Sequence, residues 1–216
     1  MTIPMLPDLL TLAQWLSPSF PISAFAYSHG LEQAVADGRV SDAGALQDWL
    51  RDVLEHSTGH SDATLIACAH RANADELSQI DATARAFAPS AERRLETVQQ
   101  GASFAATIRA IWEFDLPDMA YPVALGRAAA LQGLEAQPVA ALYLHSFAAN
   151  LVACAQRLMP LGQTDGQRIL HDLKPLCTQI AADTAAQTLD DLASCAFLSD
   201  ITAMRHETLQ PRIFRT

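Results

Sequence analysis

The chain has 216 residues, half of them hydrophobic, with 18% charged, a formal net charge of −10 at pH 7 and a pI near 5.0. That length and apolar content supply one ordinary core, while the acidity disfavours a phosphate backbone and so excludes nucleic acid as a partner. Charged residues fall below the roughly 25% of ordinary domains, which points to a surface partly covered by other chains.

Residues 9–31 run for twenty-three positions without one Asp, Glu, Lys or Arg. The length would suit a membrane span. Pro18 and Pro21 break the helix a span needs, and Ser17, Ser19, Ser23, Ser28 and His29 would bring polar groups into lipid. The pattern instead predicts a helix carrying Leu9, Leu12, Trp15 and Leu16, ending before Ser17-Pro18. A proline-ordered turn follows, then a second helix from near Ala24 to Asp37, closed by Gly38. Ser41 is expected to cap a third helix, with Leu46, Trp49, Leu50, Val53 and Leu54 on one face and Gly59 at its end.

Residues 62–73 read as a buried helix around Leu65, Ile66 and Cys68. Leu77, Ile80, Ala84 and Phe87 mark another, closed by Pro89. Ser90 caps a longer run to Trp112. Gly101 inside that run costs about 1 kcal/mol against alanine, which signals a close approach of another helix. Pro117 and Pro122 bracket a turn, and a helix follows to about Gly133.

Residues 136–156 again carry no charge. Gln137, His145, Asn150, Gln156 and the many alanines argue against a span. The expectation is a central helix, opened by Pro138, apolar on nearly all sides and closed by Arg157, Pro160 and Gly162. A helix from about residue 164 is predicted to bend near Pro175 and reach 188. A last helix is placed at 190–199 or beyond, and an extended tail after 207. Forty alanines and no strand-like alternation complete an all-α reading. It is a single-domain bundle of about nine or ten helices over residues 1–216, with 208–216 as a docking tail. The N-terminus lacks the features of a signal peptide, so the expected location is cytoplasmic. Cys68, Cys154, Cys177 and Cys195 form no C-x-x-C pair and read as buried free thiols.

No phosphate-binding loop, dinucleotide fingerprint, zinc-protease motif or nucleophile elbow is present. No catalytic residue, cofactor or resident metal is therefore expected. His56 and His60 have a spacing that could share a divalent metal on one helix face, although Gly59 between them favours a solvated helix end. Cys68 and His70, two apart, point in different directions on a helix. His145 and Asn150 sit on the most apolar helix with Arg157 at its end. They read either as internally satisfied polar groups or as the lining of a small-ligand pocket in a helical enzyme. Arg212-Ile213-Phe214-Arg215 sets two guanidinium groups around an apolar pair, a composition suited to docking on this chain or another.

Three stretches together carry a resemblance. They are 17–32, SPSFPISAFAYSHGLE; 157–163, RLMPLGQ; and Met204-Arg205-His206-Glu207 followed by Arg212-Ile213-Phe214-Arg215. In that order they resemble the signatures of UreF-type urease accessory proteins. Ser23 stands where the family usually has glycine, and Thr216 where it often has serine. The resemblance implies an all-α fold and a non-enzymatic role in assembling the urease nickel centre. Such a protein bridges a UreD/UreH-type accessory protein and the GTPase UreG, engages apo-urease and forms a homodimer, with nickel passing through the complex. By the same resemblance Phe25, Tyr27, Ser28, His29, Glu32 and Arg157 become candidates for the core and partner surface. Arg212, Phe214 and Arg215 become candidates for a segment ordered by the UreD-type partner.

Overall fold

The computed structural model describes residues 6–216; residues 1–5, which the single-domain reading and the reading of the N-terminus include, lie outside the described residues. Among the described residues there are ten α-helices, two 3-10 turns and no strand. The helices are α1 (Leu6–Trp15), α2 (Leu31–Ala36), α3 (Ala43–His56), α4 (Thr58–Arg71), α5 (Ala74–Ala86) and α6 (Ala91–Trp112). They continue with α7 (Tyr121–Gln132), α8 (Ala136–Leu158), α9 (Gln163–Asp183) and α10 (Phe197–His206). The all-α expectation holds.

Caps and steric stops set most boundaries. Asp42, rather than the expected Ser41, caps α3 by accepting from the Ala45 N–H at 2.9 Å. Asn73 and Glu76 form a reciprocal capping box on α5, and Ser90 caps α6 through the Arg93 N–H. The apolar face of α3 is buried as its spacing predicts. It ends earlier than expected, at His56, and α4 starts at Thr58 rather than 62. Gly59 is thus no helix stop. It lies in the first turn of α4, where an added Cβ would stand 2.5 Å from Leu54 Cα. Glycine is needed there because the first turn of α4 lies directly against the backbone of α3 at Leu54.

Other boundaries move as well. The segment expected as one helix from Ala24 splits into a 3-10 turn, Ala24–Ala26, a linker through Ser28-His29-Gly30, and α2. The expected helix at 190–199 is instead a 3-10 turn, Leu189–Asp191, an irregular link and α10. In that link the Cys195 and Ala196 N–H groups both donate to the His56 carbonyl. Cys195 is exposed, against expectation, while Cys68, Cys154 and Cys177 are buried free thiols. Pro175 sits inside α9, which runs on to Asp183.

The core is organised around α4 and α8. α4 lies against α7, α8 and α3, and α8 against α9. Trp15 meets Phe104 and Trp112 edge-on, at centroid distances of 5.7 and 5.5 Å. α8 buries Val139, Tyr143, Leu144, Leu151 and Val152 but leaves Leu142 and Ala153 exposed. It is long and apolar enough to cross a membrane by length and composition, yet half of its most apolar window is covered by the fold. It is therefore packed on one side rather than surrounded.

Ser23 has φ 58° and ψ 30°, left-handed backbone that L-residues adopt at a cost of roughly 1–2 kcal/mol. Its side chain makes no cap hydrogen bond to offset that cost. Ser23→Gly is expected to stabilise the protein by about 0.5–1 kcal/mol, net of the greater chain entropy of glycine when unfolded. Urea unfolding at equilibrium reads this out, and a lower midpoint would contradict it.

Candidate functional site

The segment after α10 folds back across the N-terminal motif. The Arg215 N–H donates to the Ala26 carbonyl at 2.8 Å, and the Ser28 N–H to the Thr216 carbonyl at 2.7 Å. Ser28 Oγ donates to the same carbonyl, and Thr216 Oγ1 donates to Glu96 Oε2 at 3.1 Å. Glu32, at the start of α2, receives the backbone of the segment. Its Oε1 accepts from the Ile213 N–H at 2.7 Å and its Oε2 from the Phe214 N–H at 2.9 Å. Phe214 is buried, with the Arg157 guanidinium 4.4 Å over its ring. Arg157 also donates to the Phe25 carbonyl at 3.2 Å, so one side chain from the end of α8 holds both segments.

His206 anchors the other end. It is fully buried, with Nε2 3.1 Å from Glu32 Oε2 and Nδ1 2.7 Å from Glu92 Oε2. Arg212 donates to the second oxygen of Glu92. His29, in left-handed backbone with φ 57°, lies beneath the end of the segment. Its Nε2 is 2.9 Å from Thr58 Oγ1, and its Nδ1 lies 3.8 Å from Glu96.

This cradle continues inward as a chain of buried charge. Arg93 of α6 donates to Asp62 of α4 at 2.8 Å and faces Glu96 at 3.4 Å. Tyr143 of α8 donates to the same Asp62 oxygen. Burial pushes the Asp62 carboxyl up, only partly opposed by Arg93 and the Tyr143 hydroxyl. Burial acts the same way on Glu96, but Arg93, then His29 and Thr216, outweigh it and hold that carboxyl below its usual range. Burial works against the Arg93 cation, and its two carboxylate neighbours more than restore it. One cation thus holds two anions of unequal proton affinity inside the bundle.

The predicted site residues divide accordingly. Ser28, His29, Glu32, Arg157, Arg212 and Phe214 are brought together in the cradle. Tyr27 is buried beside it: its hydroxyl donates to Gln99 at 2.8 Å and its carbonyl accepts from Asn150 at 3.1 Å. Phe25 and Arg215 point to solvent, Phe25 with 67% exposure. The docking expected of the tail occurs on its own chain. Asn150 and Arg157 are engaged by the Tyr27 and Phe25 carbonyls. His145 stands apart, its pKa lowered by burial and by the charge of Lys174. His56 and His60 fall on separate helices, and among the described residues no group of three or more His, Cys, Asp or Glu is placed to hold a metal. Cys68 and His70 diverge, toward the Gln187 and Leu134 carbonyls. The sequence reading missed Asp62, Glu92, Arg93, Glu96 and Tyr143, whose partners come from other helices.

Among the described residues, the segment after α10 is thus joined to the 26–32 stretch over a buried charged network. The sequence profile of the UreF family matches residues 40–174. The chain is 54% identical over 207 residues to the urease accessory protein UreF of Roseobacter denitrificans, covering 96% of this chain and 93% of that one. It is 50% identical to the UreF of Ruegeria pomeroyi with both chains covered in full, and 54% identical to that of Cereibacter sphaeroides ATCC 17029 over 96% and 98%. The chain belongs to the UreF family of urease accessory proteins.

Proposed function

We propose that this protein is a non-catalytic, cytoplasmic adaptor in assembly of the urease nickel centre. It joins a UreD/UreH-type accessory protein to a UreG-type GTPase, regulates GTP-dependent nickel delivery to apo-urease, and works as a homodimer with no resident cofactor. It acts as one unit, in which residues 208–216 belong to the surface offered to the UreD-type partner.

The observation that supports this reading is an uncovered apolar face beside the cradle. α10 leaves Phe197, Leu198, Ile201 and Met204 exposed, from 49% to 71%, on the helix that also carries His206. Ile213, on the docked segment, is 61% exposed. Apolar side chains concentrated on one helix and its adjoining segment mark a protein contact. Phe25, Tyr27, Ser28, His29, Glu32, Arg157, Arg212, Phe214 and Arg215 form or flank the platform that presents this face.

The test is co-elution on gel filtration with a UreD-type protein and a UreG-type GTPase. Ile201→Asp is expected to weaken the UreD-type complex at least about tenfold, as loss of a central apolar contact does. Helicity by circular dichroism should hold, because the side chain is exposed. Removal of residues 210–216 should have the same effect. Unchanged binding in both variants would remove this face from the function, and failure of the wild type to bind either protein would remove the adaptor role.

A further inference from the structure

We infer that the small polar cavity between the α3–α4 junction, α5 and α6 is a water-binding site, in which Asp62 Oδ1 and the hydroxyls of the wall hold ordered water. The inference concerns the interior of this chain and stands apart from the identity of its partners.

Asp62 spends only half of its carboxylate on protein. Both donors that reach it, Arg93 and the Tyr143 hydroxyl, bond to Oδ2. Oδ1 takes no hydrogen bond from any described residue. The residue is 6% exposed, so the protein surface does not serve that oxygen. Nor is the oxygen sealed in protein. Among the described residues, the fully enclosed side-chain atoms without a partner are Trp15 Nε1, Trp49 Nε1 and His29 Nδ1. Oδ1 therefore meets open space, and the space that Asp62 borders is this cavity.

The size suits water. The volume open to the centre of a water molecule is about 40 Å³. One water needs roughly 10–15 Å³ by that measure, so about one to three fit. The wall supplies further partners. Thr97 Oγ1 accepts the Tyr121 N–H at 3.2 Å, which leaves its own hydrogen to turn into the cavity. Ser57 and Ser61 give their hydrogens to Asp200 and to the Ala193 carbonyl, which leaves their oxygens as acceptors. A buried water is held by about two to four such groups.

The choice of water over an ion follows from Asp62 itself. Burial raises its affinity for a proton, against Arg93 and the Tyr143 hydroxyl. Ionised, Oδ1 is an acceptor; protonated, it can be a donor. Water answers both forms, whereas a bound cation requires the ionised one. A buried oxygen left unpaired carries its full desolvation penalty, and water in the cavity removes it.

A crystal structure of the full chain, at a resolution that shows ordered water, tests the site directly. The expected result is density within hydrogen-bond reach of Asp62 Oδ1, roughly 2.5–3.0 Å away. A rubidium soak identifies the ligand: an anomalous peak in the cavity would make it a cation site and overturn the inference. An Oδ1 without density, in a wall that is well ordered, would do the same.

Ala84 of α5 is buried on the wall of the same cavity and gives a test in solution. Ala84→Val and Ala84→Thr add the same shape at close helix propensity, so overpacking and propensity cancel between them. Ala84→Val displaces water and strands Oδ1. Ala84→Thr brings a hydroxyl into the same space. The folded-to-unfolded ratio from urea unfolding should be about fivefold or more higher for Ala84→Thr than for Ala84→Val. An Ala84→Val protein as stable as Ala84→Thr, or more so, would show a dry cavity and overturn the inference. The crystallographic result stands even if neither variant folds.

Discussion

Replacing Arg93 with methionine is expected to lower stability by about 3–5 kcal/mol at neutral pH, the cost of leaving buried charge without its counterion. Asp62 and Glu96 both rely on this guanidinium, and both are buried. The pH dependence has a definite sign. The folded-state pKa of Glu96 is depressed, so its stabilisation is present above the unfolded carboxylate value and is lost as pH falls through the folded one. Asp62 is raised, so ionising it already opposes folding in the wild type. Protonating both removes the need for the cation. The gap between wild type and Arg93→Met should therefore narrow from pH 7 toward about pH 4, where carboxylates take up protons. Urea unfolding at several pH values measures it, and a gap that stays constant would contradict the assignment.

Gly101→Ala is the second large effect, at least about 3 kcal/mol of destabilisation. Propensity alone argues the other way, since alanine favours a helix interior by about 1 kcal/mol. Sterics decide the sign. A Cβ at position 101 would lie 1.8 Å from the Met119 carbonyl oxygen and 2.8 Å from the Tyr121 nitrogen. The obstacle is backbone at the entry to α7, not the end of a flexible side chain, so α6 and α7 must separate. A lower thermal midpoint is expected, and a variant as stable as the wild type would show that the approach is looser than described.

Gly101 shows what a sequence can disclose. A glycine inside a long helical run signalled close contact, and contact is what the fold holds there. α3 was equally readable, because its apolar face repeats at helical spacing over three turns. The arrangement of 24–36 was not. Local preference favours one helix, but Ser28 gives its N–H and hydroxyl to a carbonyl far along the chain. A helix through Ser28 would give up that pairing. Two non-glycine residues, Ser23 and His29, take left-handed backbone around it. The internal charges were hidden for a related reason. Glu92, Arg93 and Glu96 in sequence look like a solvated helix exterior. They become interior only because Asp62, Glu32 and the segment around Thr216 converge on them from other elements. Of the cradle, the sequence disclosed the parts that carry a motif: the 25–32 run with Glu32, Arg157, Arg212 and Phe214. It concealed Asp62, Glu92, Arg93 and Glu96.

The pairing of residues 26–32 with 206–216 spans most of the polypeptide. During translation the earlier stretch leaves the ribosome long before its mate exists. The groove that receives Phe214 therefore stays vacant until residues 206–216 have emerged, and contacts of such long separation are slow to close.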